Sequence, residues 1–324
     1  MCIRDSYYPV TLATKTPSQG VAPDLGQNRT TQTQYGYVGG VIEASDGAGG
    51  FSTRLIGAND VSPTNVAIST DKDTNRAQAT IRIANFASIP NVTATFELGS
   101  LTGNNNSSST FIDDRRYGMV DRTGDPNRFS KVTTVPGGVD TAINSRTFLT
   151  SYDTAPVALP GGVTPCDCTF MSWGWWSGDI RYDNPGFRQG QRDRLNMATF
   201  VTGTLTNSVQ MPLTGTATYT GHTFGNVVNG ANSYVSAGTY SNAWNFATGK
   251  GQVNLTFDNR AYSGQTALIA GTPNFTGPLT GAGASGSLSG SFYQSKTDPV
   301  AGQGGSFAVS GPNYKAGGGF VAKK

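Results

Sequence analysis

The sequence is poor in the residues that build helices. Glutamate occurs only at Glu43 and Glu97 in 324 residues, whereas glycine occurs 43 times. Glutamate favours helices and glycine disfavours them, while the plentiful Thr, Tyr and Phe favour strands. This composition predicts an all-β protein, and the length is typical of about two domains.

Charge is scarce as well. Charged residues make up 13% of the chain and the formal net charge is +3, where an average protein has about a quarter of its residues charged. Basic residues are interspersed with acidic ones, which argues against a nucleic-acid partner. There is no apolar stretch of about eighteen residues, so the sequence predicts no membrane-spanning helix.

Histidine occurs once, at His222. The nucleophile pattern Gly-x-Ser-x-Gly is missing, and no acid, base and nucleophile converge on this histidine, so we predict a protein without catalytic residues. Zinc sites take four ligands, and a lone histidine with no second cysteine pair beside Cys166 and Cys168 falls short of that number. We therefore expect no metal site. Two interpretations of His222 remain, an exposed strand residue or a haem ligand.

The segment CDCTFMSWGWWSGDIRY, residues 166–182, holds two of the three cysteines. The one-residue gap between Cys166 and Cys168 differs from the redox spacing Cys-x-x-Cys. A disulfide between them, formed in an oxidising compartment, is one interpretation. Two thiols on one strand face are an alternative, as is a metal site, which the ligand count disfavours.

The same segment holds three of the four tryptophans. Strand alternation places Trp173 and Trp175 on one face and Trp176 on the other. Tryptophans bury large areas, so we predict that they form core where two domains meet. The alternative is an exposed aromatic surface that binds a partner, a binding ledge formed by Trp173, Trp175 and Trp176.

The N-terminal residues 1–34 have no apolar period. The opening letters MCIRDS resemble the translated adapter remnant that heads many metagenomic sequences. We expect residues 1–6, with Cys2, to be such a scar, the native start to be missing, and the remaining residues to form a disordered linker.

Residues 35–195 contain five stretches in which apolar and small polar residues alternate: YGYVGGVIEA, GFSTRLIGA, NVAISTDKD, AQATIRIANF and NVTATFELGS. Each is bounded by turn residues, so each predicts a strand. Residues 111–165 show no clear period and are expected to wrap the surface as loops.

Residues 196–324 are more regular, with strands separated by Gly- and Asn-rich turns. Tyr240 and Trp244 are separated by an even number of positions and so lie on one face of a strand. Leu255 and Phe257 lie on one face of the next strand in the same way. The pattern predicts an antiparallel hairpin with one apolar face. In later strands large aromatic residues stand beside small ones, which suits a barrel interior. A closed barrel would also leave no exposed sheet edges.

The ordered Gly-aromatic motifs from GTATYTGHTFGN to GGSFAVSGPNYKAGGGFVAKK resemble the C-terminal β-barrel of transferrin-binding protein B-like proteins. Upstream, NVAISTDKDTNRAQATI, FIDDRRYG and CDCTFMSWGWWSGDIRY are similar to the handle region of a proteobacterial branch of that superfamily. The resemblance covers residues 35–324. It implies a β-rich handle domain, residues 35–195, followed by an eight-stranded antiparallel up-and-down barrel, residues 196–324.

For function, the resemblance implies an exported, monomeric surface lipoprotein of the outer membrane of a Gram-negative bacterium, held by an N-terminal lipid anchor outside this sequence. Such proteins present loops to a partner, here an unknown protein or a haem ligand, in iron or haem acquisition. A single lobe is most similar to haemoglobin- or haem-capturing relatives. No ligand-contacting motif matches residue by residue, so no binding residue is carried over. A structural or adhesive surface module without an iron role is the alternative.

We predict that Cys166 and Cys168 are oxidised in protein recovered from the cell surface, because exported proteins mature in an oxidising compartment. Alkylation without reduction should leave both cysteines unmodified in the mass spectrum, whereas a reduced control should carry two alkyl groups. Two alkylated cysteines in the unreduced sample would contradict the prediction.

Overall fold

The computed structural model of the protein describes residues 31–45, 51–57, 62–71, 76–84, 92–99, 108–112, 116–120, 130–134, 141–142, 148–151, 159–168, 170–181 and 192–324. In this part of the chain all regular structure is β-strand, apart from the short 3-10 turns Pro160–Gly162 and Ser208–Gln210. The predicted all-β class is confirmed.

The N-terminal strands form one open sheet, which we call the handle sheet. Its members are β1 Thr31–Ser45, β2 Phe51–Ile56, β3 Val66–Asp71, β4 Arg76–Ala84, β5 Val92–Gly99, β6 Ser108–Ile112, β7 Arg116–Val120, β8 Ser130–Thr134, β9 Thr141–Ala142, β10 Phe148–Ser151, β11 Met171–Arg181 and β12 Arg192–Gly203. The strands run in the order β6-β7-β10-β11-β12-β1-β3-β4-β5-β8-β9, with β2 paired to β1. All pairs are antiparallel.

The C-terminal strands close into an eight-stranded barrel. They are β13 Thr216–Asn229, β14 Asn232–Asn245, β15 Lys250–Phe257, β16 Arg260–Leu268, β17 Asn274–Gly281, β18 Ala284–Tyr293, β19 Gly302–Gly311 and β20 Tyr314–Lys323. Each strand pairs with the next, and β20 returns to β13. The predicted up-and-down barrel is confirmed.

Three boundaries differ from the sequence-based expectation. Strand β1 begins at Thr31, inside the predicted linker, because residues 31–36 pair with β3. Residues 111–165, expected to be loops, contribute the short strands β7 to β10 and the end of β6. Strand β12 crosses the predicted boundary at residues 195 and 196 and belongs to the handle sheet, so the barrel begins at Thr216.

The two ends of the barrel differ in the length of their connections. At one end the turns 230–231, 258–259, 282–283 and 312–313 have two residues each, and Asp258 and Asn259 both adopt φ of 55°. Such left-handed residues match the twist of a tight hairpin. The other end, which we call the long-loop end, carries residues 204–215, 246–249, 269–273 and 294–301.

The barrel interior is filled by aromatic and aliphatic side chains. Toward the long-loop end of the interior, the ring centroid of Phe292 lies 5.0 Å from that of Trp244, 5.5 Å from that of Phe275 and 5.6 Å from that of Tyr219. Phe307 and Phe320 belong to the same buried cluster. Glycines beside these rings leave the space that the rings occupy, as the alternation of large and small residues predicts.

No helix in the described ranges has the length and hydropathy needed to cross a membrane.

We predict that Phe292→Ala lowers the free energy of unfolding by about 3 to 5 kcal/mol, because it removes a fully buried ring and leaves a cavity. Urea unfolding followed by tryptophan fluorescence would measure the loss. Thr218→Ala, on the exposed outer face of β13, is the matched control and should change stability by less than about 0.5 kcal/mol. Equal stability of the two variants would show that Phe292 is not part of the packed core.

Candidate functional site

The handle sheet packs against one side of the barrel, and we call this contact the junction. Alternation along β13 sends Tyr219 and Val227 into the barrel core, so His222, Phe224 and Asn226 point outward. All three are nevertheless buried. The handle sheet therefore covers this part of the outer barrel surface.

Asn226 joins the two domains through the backbone of Val41. The backbone N–H of Val41 donates to Asn226 Oδ1 at 2.7 Å, and Asn226 Nδ2 donates to the carbonyl oxygen of Val41 at 2.8 Å. The pairing of β1 with β12 shifts register between Gly39 and Ile42, which takes Val41 out of that ladder. Asn226 thus supplies both hydrogen bonds that a neighbouring strand would supply.

Glycines allow the two backbones to approach at this point. A Cβ on Gly40 would lie 2.9 Å from Asn226 Oδ1, and a Cβ on Gly317 would lie 3.0 Å from the carbonyl oxygen of Gly40. Gly40 also has φ of +147°, which favours glycine over other residues. A larger residue at either position would push the handle sheet away from β20.

An aromatic cluster fills the neighbouring part of the junction. The ring of Trp173 lies 4.9 Å from that of Phe224, and the ring of Trp175 lies 5.5 Å from the same phenylalanine. Trp173 is 1% exposed and Trp175 is 0% exposed. This burial contradicts the binding-ledge alternative for both residues, because a partner could not reach them without separating handle and barrel. The side chain of Trp176 lies outside the described residues.

The loop of residues 159–168 lies against the same cluster. Leu159 and Cys168 are buried in it, and a disulfide bond joins Cys166 to Cys168. The backbone N–H of Cys166 donates to Nδ1 of His222 at 2.8 Å. The disulfide therefore belongs to the loop that covers the single histidine. In the described ranges no three His, Cys, Asp or Glu residues are grouped as metal ligands would be.

His222 is fully buried, which corrects its interpretation as an exposed strand residue. Burial lowers the pKa of its imidazole to about 3, because the charged form would lose its hydration. Nδ1 of the neutral ring accepts the Cys166 hydrogen bond, so its proton is on Nε2, which has no hydrogen-bond partner among the described residues. The edge of the ring meets Trp173, with centroids 4.4 Å apart.

Haem iron would need the lone pair of an accessible histidine nitrogen. Nδ1 of His222 is occupied by the Cys166 N–H, and Nε2 carries the proton inside the junction. The geometry therefore does not favour His222 as a haem ligand.

Sequence reasoning pointed to the tryptophans and cysteines of the junction but missed Asn226 and the glycines that meet it. The doublet Gly39–Gly40 and the triplet 317–319 were visible signals, since consecutive glycines inside strands often mark a close backbone approach. Nothing in the sequence around Asn226 sets it apart from the other asparagines.

The sequence matches no family model and no curated protein. Among solved structures, the chain is similar to a variant of transferrin binding protein B from Haemophilus parasuis, with 14% identity, a TM-score of 0.35, and coverage of 95% of this chain and 78% of that one. It is also similar to the haemoglobin receptor HpuA from Kingella denitrificans, with 13% identity, a TM-score of 0.37, and coverage of 96% and 94%. The architecture described above rests on the strand pairing of this chain and not on these alignments.

We predict that the junction makes folding stability depend on pH in a range where few other side chains titrate. His222 is the only histidine, and its pKa is about 6.5 when unfolded and about 3 when folded. As pH falls below 6.5 the unfolded chain takes up a proton that the folded chain does not, so stability is lost on acidification. The loss should be about 1 kcal/mol between pH 6.5 and 5.5.

Urea unfolding at several pH values would measure this loss. In His222→Asn the amide oxygen can still accept the Cys166 N–H, but the titrating group is gone, so the decline over this pH range should flatten. An unchanged pH dependence in the variant would contradict the assignment to His222.

Proposed function

We propose that this protein is a non-enzymatic binding protein of the surface of a Gram-negative bacterium that captures an iron-carrying protein. The observation that carries the proposal is the architecture, in which a closed barrel with a packed aromatic interior is fixed along one side to a broad handle sheet. Because the described barrel core is filled by its own side chains, we place partner binding on the outer surface and loops. A macromolecular ligand fits such a surface better than a small molecule enclosed in the barrel does.

The sequence resemblance to transferrin-binding protein B-like proteins supports the iron role. It runs through the barrel motifs and into the handle, including the segment that carries Trp173 and Cys166. It also supports export, surface location and a lipid anchor upstream of this sequence. The buried, singly protonated His222 favours an iron-carrying protein over free haem as the ligand.

The test is direct binding of the purified protein to immobilised haemoglobin and transferrin by biolayer interferometry, with serum albumin as the control. We expect saturable binding to an iron-carrying protein and none to albumin. A parallel hemin titration should leave the Soret band unshifted. Binding to neither iron carrier would contradict the proposal and favour the structural or adhesive alternative, and a saturable Soret shift would replace the protein ligand with haem.

A further inference from the structure

The loop of residues 204–215 is fixed at both ends across the long-loop end of the barrel. The backbone N–H of Thr206 donates to the carbonyl oxygen of Phe292 at 3.0 Å, and that of Phe246 donates to the carbonyl oxygen of Gly215 at 3.0 Å. Between these anchors Met211 packs against the barrel core. The loop is therefore tied to the end of β18 and to the 246–249 connection.

Two aliphatic side chains on this loop point into solvent. Val209 is 86% exposed and Leu213 is 85% exposed, on either side of the inward-facing Met211. The other large exposed hydrophobic residues of the described chain are Tyr35 and Tyr234, which carry hydroxyl groups and are about half as exposed or less. Single exposed apolar residues are common, but a matched pair held outward by a fixed loop needs a further explanation.

Positive charge surrounds the same end of the barrel. Lys250 begins β15 there, Lys296 lies in the 294–301 connection, Lys323 ends β20 and Lys324 follows it. All four lysines are exposed. Asp298 is the one acidic residue in the four connections of the long-loop end, all of which the structure describes. Its Oδ2 lies 3.0 Å from Nζ of Lys324, with which it forms an ion pair. The remaining lysine of the barrel, Lys315, donates to Thr53 in the handle sheet.

This combination favours a lipid surface over a protein surface as the partner. Protein interfaces are depleted in lysine, and their energetic centres are enriched in Trp, Tyr and Arg rather than Val or Leu. Peripheral membrane contacts combine aliphatic side chains that enter the interfacial region with lysines that attract anionic headgroups. The exposed aliphatic residues and lysines of the long-loop end match the composition of a peripheral membrane contact.

We propose that the long-loop end docks on an anionic lipid surface, with Val209 and Leu213 inserted at the level of the headgroups and the surrounding lysines facing lipid phosphates. The contact is independent of the proposed iron-carrier ligand. It would hold the barrel axis at a steep angle to the membrane, with the handle sheet beside the barrel.

The experiment is co-sedimentation of the full chain with vesicles of phosphatidylcholine alone, or of phosphatidylcholine with about a third phosphatidylglycerol. We expect binding to the anionic vesicles that weakens as salt rises toward about 0.5 M, because salt screens the lysines. The variant Val209→Ser/Leu213→Ser should bind about tenfold more weakly or worse, since burial of both apolar side chains is lost.

Two further variants separate the contributions. Lys250→Gln/Lys323→Gln should lose most of the preference for anionic vesicles and most of the salt dependence. Tyr234→Ser, at the short-turn end, is the matched control and should bind like the parent chain. Circular dichroism would check that every variant is folded, which the exposure of these residues leads us to expect.

The proposal would be overturned if the parent chain did not sediment with anionic vesicles, or if the Val209/Leu213 variant sedimented equally well. If that variant lost binding to an iron-carrying protein while the parent ignored vesicles, this end would be a protein-binding surface instead. Loss of vesicle binding with iron-carrier binding intact would support the lipid contact and leave the proposed function standing.

Discussion

The arrangement of this protein depends on the pairing of the Asn226 side chain with the backbone of Val41. Through it, the barrel supplies the two hydrogen bonds that the register shift takes from β1. A buried peptide group without partners costs about 1 to 3 kcal/mol, so the barrel stabilises the irregular part of β1. The glycines at 40 and 317 make the approach possible. Handle and barrel are therefore joined by hydrogen bonds to the main chain as well as by the burial of apolar surface.

The other features of the junction follow from this close approach. Once β1 lies on the barrel, strand β11, which pairs with the other edge of β12, brings Trp173 and Trp175 onto Phe224, and the disulfide-closed loop covers His222. Burial keeps the imidazole neutral and makes the junction unsuitable as an open ligand site. The residues that looked most like a binding site in the sequence instead hold the two domains together. Surfaces available to partners then lie elsewhere, on the handle sheet and at the ends of the barrel.

The strands that were predicted well are those with a regular period of two. In β15 every second residue is buried, from Gly251 to Phe257. The sequence shows the same alternation of apolar and polar residues. The strands of residues 111–165 were missed because they have five residues or fewer and their pairing is set by neighbours distant in sequence. The barrel boundary was misplaced because the residues up to Gly203 have a sequence pattern like that of the strands after them. The strand to which they belong, β12, nevertheless pairs with β1 and β11.

The sequence by itself determined the class of fold and the inward faces of β14 and β15, because alternation of apolar and polar residues is a local property of a strand. It also placed two cysteines and three tryptophans within a few residues of one another. The tertiary structure alone decided which outward-facing residues are buried. His222 and Asn226 occupy positions that would face solvent in an isolated barrel, and they became buried because another sheet packs there. Burial on an outer face depends on what covers it, and that partner is distant in the sequence.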